Sequence, residues 1–525
     1  MILCLSSGLF LEDQEVQVMS NRVGIVGYGA YIPCERIQTE YIVRAREGKR
    51  KDLDQFLDKV KNGLLLRNKS IADFSEDTIT MATEAAENAL KMSGIDPMKI
   101  GSVVAGSESK PYAVGSTARH VASFIGVGNE AFVSDVEGAC NAGMQSVDFV
   151  RAQVNSGEIE YGLAIGSDVA QAPEGDPLEY AAGAGAAAYV LGKTDLIASI
   201  EDMAPYSSLT MDFWRREEAS VPKHLGKTTV EAYVTHITGA IKTLLIRHPK
   251  LRISDFNNIT FHQPSGYMPL KTCKSLLNPS PDLSDDLDLL ERMKLSQEDI
   301  ETKIKPWLRV LDTGNTYAAS TPISLASILD KANPGDNILA VSYGSGAYSI
   351  ATWVNVKAKP KNGMKVPTVQ DYVDRRVDIR LETYQDHVKE RLKKVKKRLV
   401  YPRIIGEIEP IGSDMIETLF CDGCKRIYYP KRSRCLEFEC EGPNAVKTFP
   451  VNAKLKSFEK LPFKKRLEAN FDIMKEGKVL MVDCDMDDLR PGLKVELVTR
   501  RLDYEGKDGL IIYGPSYRPL FRNGF

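Results

Sequence analysis

Asp135-Val136-Glu137-Gly138-Ala139-Cys140-Asn141-Ala142-Gly143-Met144 sets a thiol among small residues where a strand-like run gives way to a helix-like one. The flanking Gly and Ala leave room for a substrate, and a helix N-terminus is expected to stabilise the thiolate and lower the pKa of Cys140. A buried core cysteine would also fit this stretch taken alone. Outward from it, strand-like runs recur at residues 23–28, 101–105, 162–166 and 186–191. Residues 78–92 carry Ala82, Ala85, Ala86, Ala89 and Leu90 at helical spacing, a face small enough to lie close on a sheet. The plan repeats with strands at 259–262 and 338–343 and a helix over 226–241. Strands alternating with helices predict a layered α/β fold built from two similar halves. The glycine-rich stretches 181–185 and 342–346 lack the strand, G-x-G-x-x-G and helix order of a nucleotide fingerprint, so they are read as close packing around a site.

Further segments supply partners for Cys140. They are Phe261-His262-Gln263-Pro264, Gly314-Asn315-Thr316-Tyr317-Ala318-Ala319-Ser320 and Ser342-Tyr343-Gly344-Ser345-Gly346. Taken in order, these residues resemble the thiolase superfamily, specifically its condensing enzymes that use Cys, His and Asn. Val103-Val104-Ala105-Gly106-Ser107-Glu108-Ser109 ends a strand-like run in a glutamate and resembles the strand end carrying the general acid/base of 3-hydroxy-3-methylglutaryl-CoA synthases. Asp212-Phe213-Trp214-Arg215 also resembles that family, and the resemblance spans about residues 23–356.

The resemblance implies a five-layered thiolase-like fold and a reaction in three stages. An acetyl group passes from CoA to the thiolate of Cys140, a methyl proton is removed and the carbanion adds to the ketone of acetoacetyl-CoA, and water releases the product. It gives Glu108 the proton transfers, His262 a hydrogen bond to the acetoacetyl carbonyl, and Asn315 a share in holding and polarising that substrate. The N–H of Cys140, at a helix start, is the oxyanion donor. Ser342 and Gly344 are expected to line the substrate site, and Lys223 and Lys227, at the opening of the 226–241 helix, to meet CoA phosphates. Two rivals stand beside this reading. A ketoacyl synthase would use the same Cys, His and Asn to decarboxylate a malonyl thioester, leaving Glu108 without a task, and a non-catalytic acyl-CoA scaffold would not need the nucleophile. The acceptor itself is left open between acetoacetyl-CoA and a carrier-bound β-ketoacyl group, as in synthases that add β-branches to polyketides.

At 525 residues and 43% hydrophobic, the chain can build several large cores. No run reaches the length of a membrane span. Residues 1–18 hold an apolar run without a basic start and then Glu12, Asp13 and Glu15, a poor signal peptide expected to be loosely held ahead of Met19. A functional thiol beside a cysteine cluster points to a reducing, cytoplasmic setting. Charge divides near residue 357: the remainder holds 36 Lys and Arg against 26 Asp and Glu, and the first part 33 against 45. This polarity favours attraction between the two parts and an anionic ligand such as CoA. The basic run Lys393-Lys394-Val395-Lys396-Lys397-Arg398 has no interleaved aromatics, so it is read as a solvated helix face and not as a nucleic-acid site.

Cys421-Asp422-Gly423-Cys424 is followed, after ten intervening residues, by Cys435 and then Cys440, two knuckles able to set four thiolates about a structural zinc. Four residues, not two, separate the second pair. Beyond them β-like runs at 445–448, 479–483, 494–499 and 509–513 are parted by turns. This part, with its ending Gly514-Pro515-Ser516-Tyr517-Arg518-Pro519, resembles the zinc-ribbon and OB-fold proteins that accompany thiolase-type enzymes. The predicted order is a tail (1–19), two thiolase-like halves (20–192 and 193–357), a helix-bearing linker (358–415), a zinc ribbon (416–445) and an OB-fold domain (446–525). The resemblance further implies a homodimer and association with a separate acetoacetyl-CoA thiolase, with no membrane and no nucleic acid as partners.

Overall fold

Asp77 starts the helix Thr78–Ser93 (α1): its side chain accepts from Thr80 N–H at 3.0 Å, and Thr80 Oγ1 accepts from Asp77 N–H at 2.8 Å. Gly94 closes the far end in the left-handed region, at φ 68°. Ala82, Ala85, Ala86 and Ala89 are completely buried, as their spacing predicts. They let α1 lie directly on the first strand, Gly24–Tyr31 (β1), where a side chain at Gly29 would collide with the carbonyl oxygen of Ala85. The computed structural model describes residues 22–169, 172–216, 219, 221–360, 366–392, 404–410, 415–423, 427–429, 431, 443–460, 478–484, 486–504 and 511–520.

The first half continues through β2 (Glu35–Gln38), β3 (Asn68–Ser70), β4 (Ile100–Gly106), α2 (Thr117–Phe124), β5 (Phe132–Val136), α3 (Ala142–Ser156), β6 (Tyr161–Val169) and β7 (Ala184–Gly192). The second runs through β8 (Ala198–Thr210), β9 (Phe213–Trp214), β10 (Lys223–His224), α4 (Gly226–Arg247), β11 (Asn258–Phe261), α5 (Ser320–Leu329), β12 (Asn337–Gly344) and β13 (Gly346–Val356). Nine strands make one mixed sheet in the order β11-β12-β13-β8-β1-β7-β6-β4-β5. Its seam is short, with Gly24 opposite Ser199 and Ile25 opposite Ala198. On one side β4 and β6 are parallel, and β6, β7 and β1 antiparallel. On the other β11 and β12 are parallel, and β12, β13 and β8 antiparallel. The same pattern is thus used twice, giving the mixed α/β architecture of two similar halves that the alternating runs predict and the thiolase-like plan that the resemblance implies. Helix α5 is buried along its whole length and packs against α3, so the two helices that start at the candidate site share the interior.

The remainder differs from expectation in its boundaries. A two-residue strand β14 (Val377–Asp378) extends β2 and β3 into a small sheet, and Leu381–Leu392 forms helix α6. The span expected as linker then ends in β15 (Ile404–Pro410), which pairs with strands far later in sequence. A three-stranded sheet, β16 (Met415–Cys421), β17 (Ile427–Tyr428) and β18 (Asn444–Pro450), is inserted before the next four strands: β19 (Asn452–Lys460), β20 (Lys478–Met481), β21 (Lys494–Tyr504) and β22 (Ile511–Pro519). A closed barrel forms in the order β15-β19-β21-β22-β20. Hence residue 446 is not its start: β15 belongs to it, because a closed barrel needs a strand to seal the edge between β19 and β20. The ending 514–519 lies within β22. No helix among the described residues is long and apolar enough to cross a membrane. Residues 1–19 and the basic run 393–398 lie outside the described residues.

Barrel and layered body meet through buried charge. Arg500 Nη2 lies 3.0 Å from Glu84 Oε2 of α1 and 2.7 Å from Asp483 Oδ2, and donates to the hydroxyl of Tyr31 on β1 at 3.0 Å. Arg518 reaches the other oxygen of Glu84, and Arg375 Nη2 lies 2.8 Å from Asp483 Oδ2. Burial pushes the Glu84 carboxyl up, but Arg518 and Arg500 outweigh it and hold it below the usual range; Asp483 is likewise held low by Arg500, Arg375 and Arg518 against its burial. Carboxyls depressed in the folded state contribute stability that is complete above about pH 4 and lost as the pH falls through their folded values. Thermal melting of the full chain is therefore expected to drop steeply below about pH 4, and Arg500→Leu, which removes one member of a buried set, is expected to cost about 3 kcal/mol or more at neutral pH.

Candidate active site

Cys140 stands where the sequence places it, between β5 and α3, in a short 3-10 turn Ala139–Asn141. Ala139 enters the turn with φ 47°, a left-handed conformation that an L-residue adopts at a cost. The second half repeats the device: Tyr317, at φ 49°, opens the turn Tyr317–Ala319 ahead of α5. The two turns pack together, so the Cys140 and Asn315 segments meet although they are far apart in sequence. Close approach is required throughout, for a side chain on Gly344 would strike the carbonyl oxygen of Gly138.

Glu108 lies just beyond the end of β4, and Cys140 Sγ donates to its Oε1 at 3.1 Å. The expectation of a lowered thiol pKa is corrected here. Burial and then the facing Glu108 raise Cys140 well above an ordinary thiol, outweighing any helix-start effect. Burial, reinforced by Asp168, also raises Glu108 far above a normal carboxyl. Burial thus favours the uncharged form of both groups, and the 3.1 Å contact gives the thiol proton a direct path to the carboxyl.

His262 follows β11 as its first residue beyond the strand, its N–H donating to Val341 O at 2.8 Å. It is buried, and burial lowers its pKa to about 3, so the ring is neutral near pH 7. Nδ1 has no hydrogen-bond partner among the described residues. Tyr233, from α4, donates to the carbonyl oxygen of His262, and the rings of Tyr233 and Tyr343 lie 6.4 and 6.5 Å from the imidazole. Asn315 is locked by its backbone: its N–H donates to Ala181 O at 2.7 Å and its carbonyl accepts from Gly183 N–H at 2.8 Å. Its Oδ1 accepts from Tyr317 N–H at 2.9 Å, which orients the side-chain amide.

The other expected residues fare differently. The hydroxyl of Ser342 is committed to Asn141 Oδ1, so it holds the Cys140 turn from behind, while Gly344 acts through its lack of a side chain. Lys223 is exposed opposite Trp214, and the side chain of Lys227 is 92% exposed, 4.0 Å from Glu231. Cys421 is buried at the end of β16; Cys424, Cys435 and Cys440 lie outside the described residues, among which no cluster of metal-ligating side chains is found.

Sequence reasoning missed Asp168 and gave Asp212, quoted in a family-like segment, no task. Asp168, fully buried at the end of β6, accepts on Oδ1 from Ser107 Oγ (2.8 Å), Glu108 N–H (2.9 Å), Ser109 N–H (3.0 Å) and Ser109 Oγ (2.6 Å), and on Oδ2 from Ala318 N–H (2.8 Å). Asp212 accepts from Tyr343 OH at 3.0 Å and Ser345 Oγ at 3.2 Å. Phe213 beside it packs on the Tyr317 ring at 6.1 Å and against the Cys140 cluster. The signal for Asp168 was present, since a lone carboxylate among small residues at a strand end is the pattern that singles out Glu108.

Residues 67–194 match the thiolase N-terminal domain. A hydroxymethylglutaryl-CoA synthase of Methanopyrus kandleri is 40% identical over 387 residues, 73% of this chain and 100% of the relative. This chain belongs to the hydroxymethylglutaryl-CoA synthase family. A hydroxymethylglutaryl-CoA synthase of Archaeoglobus fulgidus is 38% identical over 70% of the chain and 98% of its own length. Among solved structures, MvaS in complex with 3-hydroxy-3-methylglutaryl coenzyme A superposes with a TM-score of 0.61 at 22% identity, covering 70% of this chain and 92% of that one. PksG, an HMG-CoA synthase from Bacillus subtilis, also gives 0.61, at 20% identity over 70% and 88%. In this hydroxymethylglutaryl-CoA synthase family member, Asp168→Ala would remove the acceptor of two buried donors, Ser107 Oγ and Ala318 N–H, at about 1–3 kcal/mol each before relaxation, and of three half-buried ones from Glu108 and Ser109. It is expected to lower stability by about 3 kcal/mol or more, checked by chemical denaturation.

Proposed function

We propose that the chain condenses acetyl-CoA with acetoacetyl-CoA to give 3-hydroxy-3-methylglutaryl-CoA through an acetyl group held on Cys140, and the observation that carries this is the 3.1 Å Cys140–Glu108 contact. Glu108 takes the thiol proton as sulfur attacks the acetyl thioester, and that proton leaves on the CoA thiol. The N–H of Cys140, in the first turn before α3, faces the oxyanion. Glu108 then removes a methyl proton, the carbanion adds to the acceptor ketone, and the resulting alkoxide takes a proton back. A neutral His262 polarises that ketone by a hydrogen bond, and the oriented amide of Asn315 assists it. Water then cleaves the acyl-cysteine bond. The curated relatives at about 40% identity carry the name of this reaction, which favours a CoA-bound acceptor over a carrier-bound one. Ser342 and Gly344 shape the cavity wall, and Lys223 and Lys227, exposed at the start of α4, meet CoA phosphates.

The assembly we propose extends beyond this centre. Strand β5 is an edge of the nine-stranded sheet, with Phe132 and Phe149 more than half exposed, a surface suited to a homodimer. The five-stranded barrel is of OB type, and the sheet β17-β16-β18, with Cys421 buried at its turn, forms a ribbon in which Cys421, Cys424, Cys435 and Cys440 hold a structural zinc. A separate acetoacetyl-CoA thiolase docks on this added part, and the reactive thiol is kept reduced in the cytoplasm.

Intact-mass spectrometry after acetyl-CoA tests the reaction. An acetyl adduct is expected on the native chain and not on Cys140→Ala, discharged by acetoacetyl-CoA with release of the product; discharge only by a malonyl thioester would show a ketoacyl synthase instead. Glu108→Gln is expected to lose about 100-fold or more in condensation rate. Because Glu108 must accept a proton and its pKa is raised, adduct formation is expected to fail as the pH drops through a value well above that of an ordinary glutamate. Elemental analysis is expected to find one zinc per chain, lost in Cys421→Ser with the barrel's melting transition lowered.

A further inference from the structure

The barrel contacts the layered body through a second set of residues beside the Arg500 cluster, on the strand β22 that pairs Tyr513 with Arg501. Strand β22 carries Tyr513, whose hydroxyl donates to Asp77 Oδ2 at 2.8 Å, while Asp77 Oδ1 caps α1 through Thr80 N–H at 3.0 Å. Two residues earlier, Ile511 N–H donates to the hydroxyl of Tyr112 at 2.7 Å. Tyr112 lies in the segment between Glu108 and α2, so one strand of the barrel grips both the cap of α1 and the loop that leaves Glu108. The next residue of α1, Thr78, donates through Oγ1 to Ser109 O at 2.8 Å. Ser109 in turn joins Glu108 N–H on the carboxylate of Asp168. The rings fill the space between: Tyr513 stands edge-on to Phe124 at 5.5 Å and 6.0 Å from His120, which stacks on Tyr112 at 5.5 Å. Tyr513 is 6% exposed, so its bond to Asp77 is made in a dry setting where losing it is felt, while the Ile511–Tyr112 bond is half-buried.

We propose that the fused barrel sets the position of Glu108 from outside the catalytic centre, with Tyr513 and Tyr112 as positioning residues that hold the Ser107–Ser109 strand end through Asp77, Thr78 and the Glu108-to-α2 loop. This rests on the acid/base role proposed for Glu108. The geometry reaches the carboxylate by two routes, one through the helix cap and one through the loop, so the segment is restrained on both sides. A loop restrained in this way keeps Oε1 within hydrogen-bond reach of the Cys140 thiol, where small displacements cost large factors in rate. A barrel that served only as an attachment for other chains would not need to touch the loop after Glu108.

The test uses the full chain and four variants: Tyr513→Phe, Tyr112→Phe, Glu108→Gln and the double variant Tyr513→Phe/Glu108→Gln. Phenylalanine keeps the ring packing, so circular dichroism and melting report whether each chain is intact. Tyr513→Phe is expected to lower kcat about tenfold, the scale of one buried hydrogen bond, with the KM for acetyl-CoA little changed. It is also expected to shift the acid limb of the pH profile, and Tyr112→Phe to act in the same direction. In the Glu108→Gln background the Tyr513 substitution is expected to add nothing further, because the group it positions is gone. A native acid limb and kcat in both phenylalanine variants would overturn the inference, as would an equal fold loss with and without Glu108. Full activity in Glu108→Gln alone would overturn the role of Glu108 and the inference with it, whereas an impaired Glu108→Gln beside a native Tyr513→Phe overturns only the inference.

Discussion

One carboxylate, Asp168, is the constraint on which the candidate site depends. Its two oxygens face different halves of the molecule, Oδ1 gathering the Ser107–Ser109 strand end and Oδ2 the N–H of Ala318 in the turn before α5. The strand end delivers Glu108, and the turn is continuous with Asn315. A buried carboxylate with so many donors has no alternative arrangement of comparable energy, since any shift leaves polar groups unbonded in a dry interior. The doubled architecture supplies the rest: two central helices, each preceded by a 3-10 turn entered through a left-handed residue, bring Cys140 and Asn315 to one place.

Dryness then sets the chemistry. Burial raises Cys140 and Glu108 together and lowers His262 to about 3, so each group rests in its uncharged form more readily than it would in water. In the proposed reaction the thiol gives its proton to the facing Glu108 as it attacks and is not held as a standing thiolate, which would have to be maintained against the same desolvation. A neutral imidazole suits a group that must donate a hydrogen bond without adding a charge to a crowded pocket.

Much of this was legible in the sequence because the informative residues carry local signatures. Cys140 lies in a run of small residues at a strand-to-helix change, Glu108 ends a strand, and the alanines of α1 mark a face that must touch a sheet. What escaped were residues whose task exists only after folding. Asp168 is one more strand-end carboxylate until Ala318 arrives from 150 positions away, and Tyr317 is an ordinary tyrosine until its φ is known. The thiol pKa was misjudged because a helix start is a local feature, whereas burial and the neighbouring Glu108 are tertiary ones. The barrel boundary was misplaced for the same reason: β15 reads as part of a linker, and only pairing with β19 and β20 makes it a barrel strand.

The Arg500–Glu84 pair has a consequence for how the chain is made. The two residues are 416 positions apart, and Arg518 comes later still. During synthesis helix α1 and its sheet are complete long before either arginine leaves the ribosome, so Glu84 stays without these two counter-charges until nearly the last strand is in place. A product broken off early, before β21, would lack both arginines and leave Glu84 with the hydroxyl of Tyr372 and the charge of Arg375 as its partners.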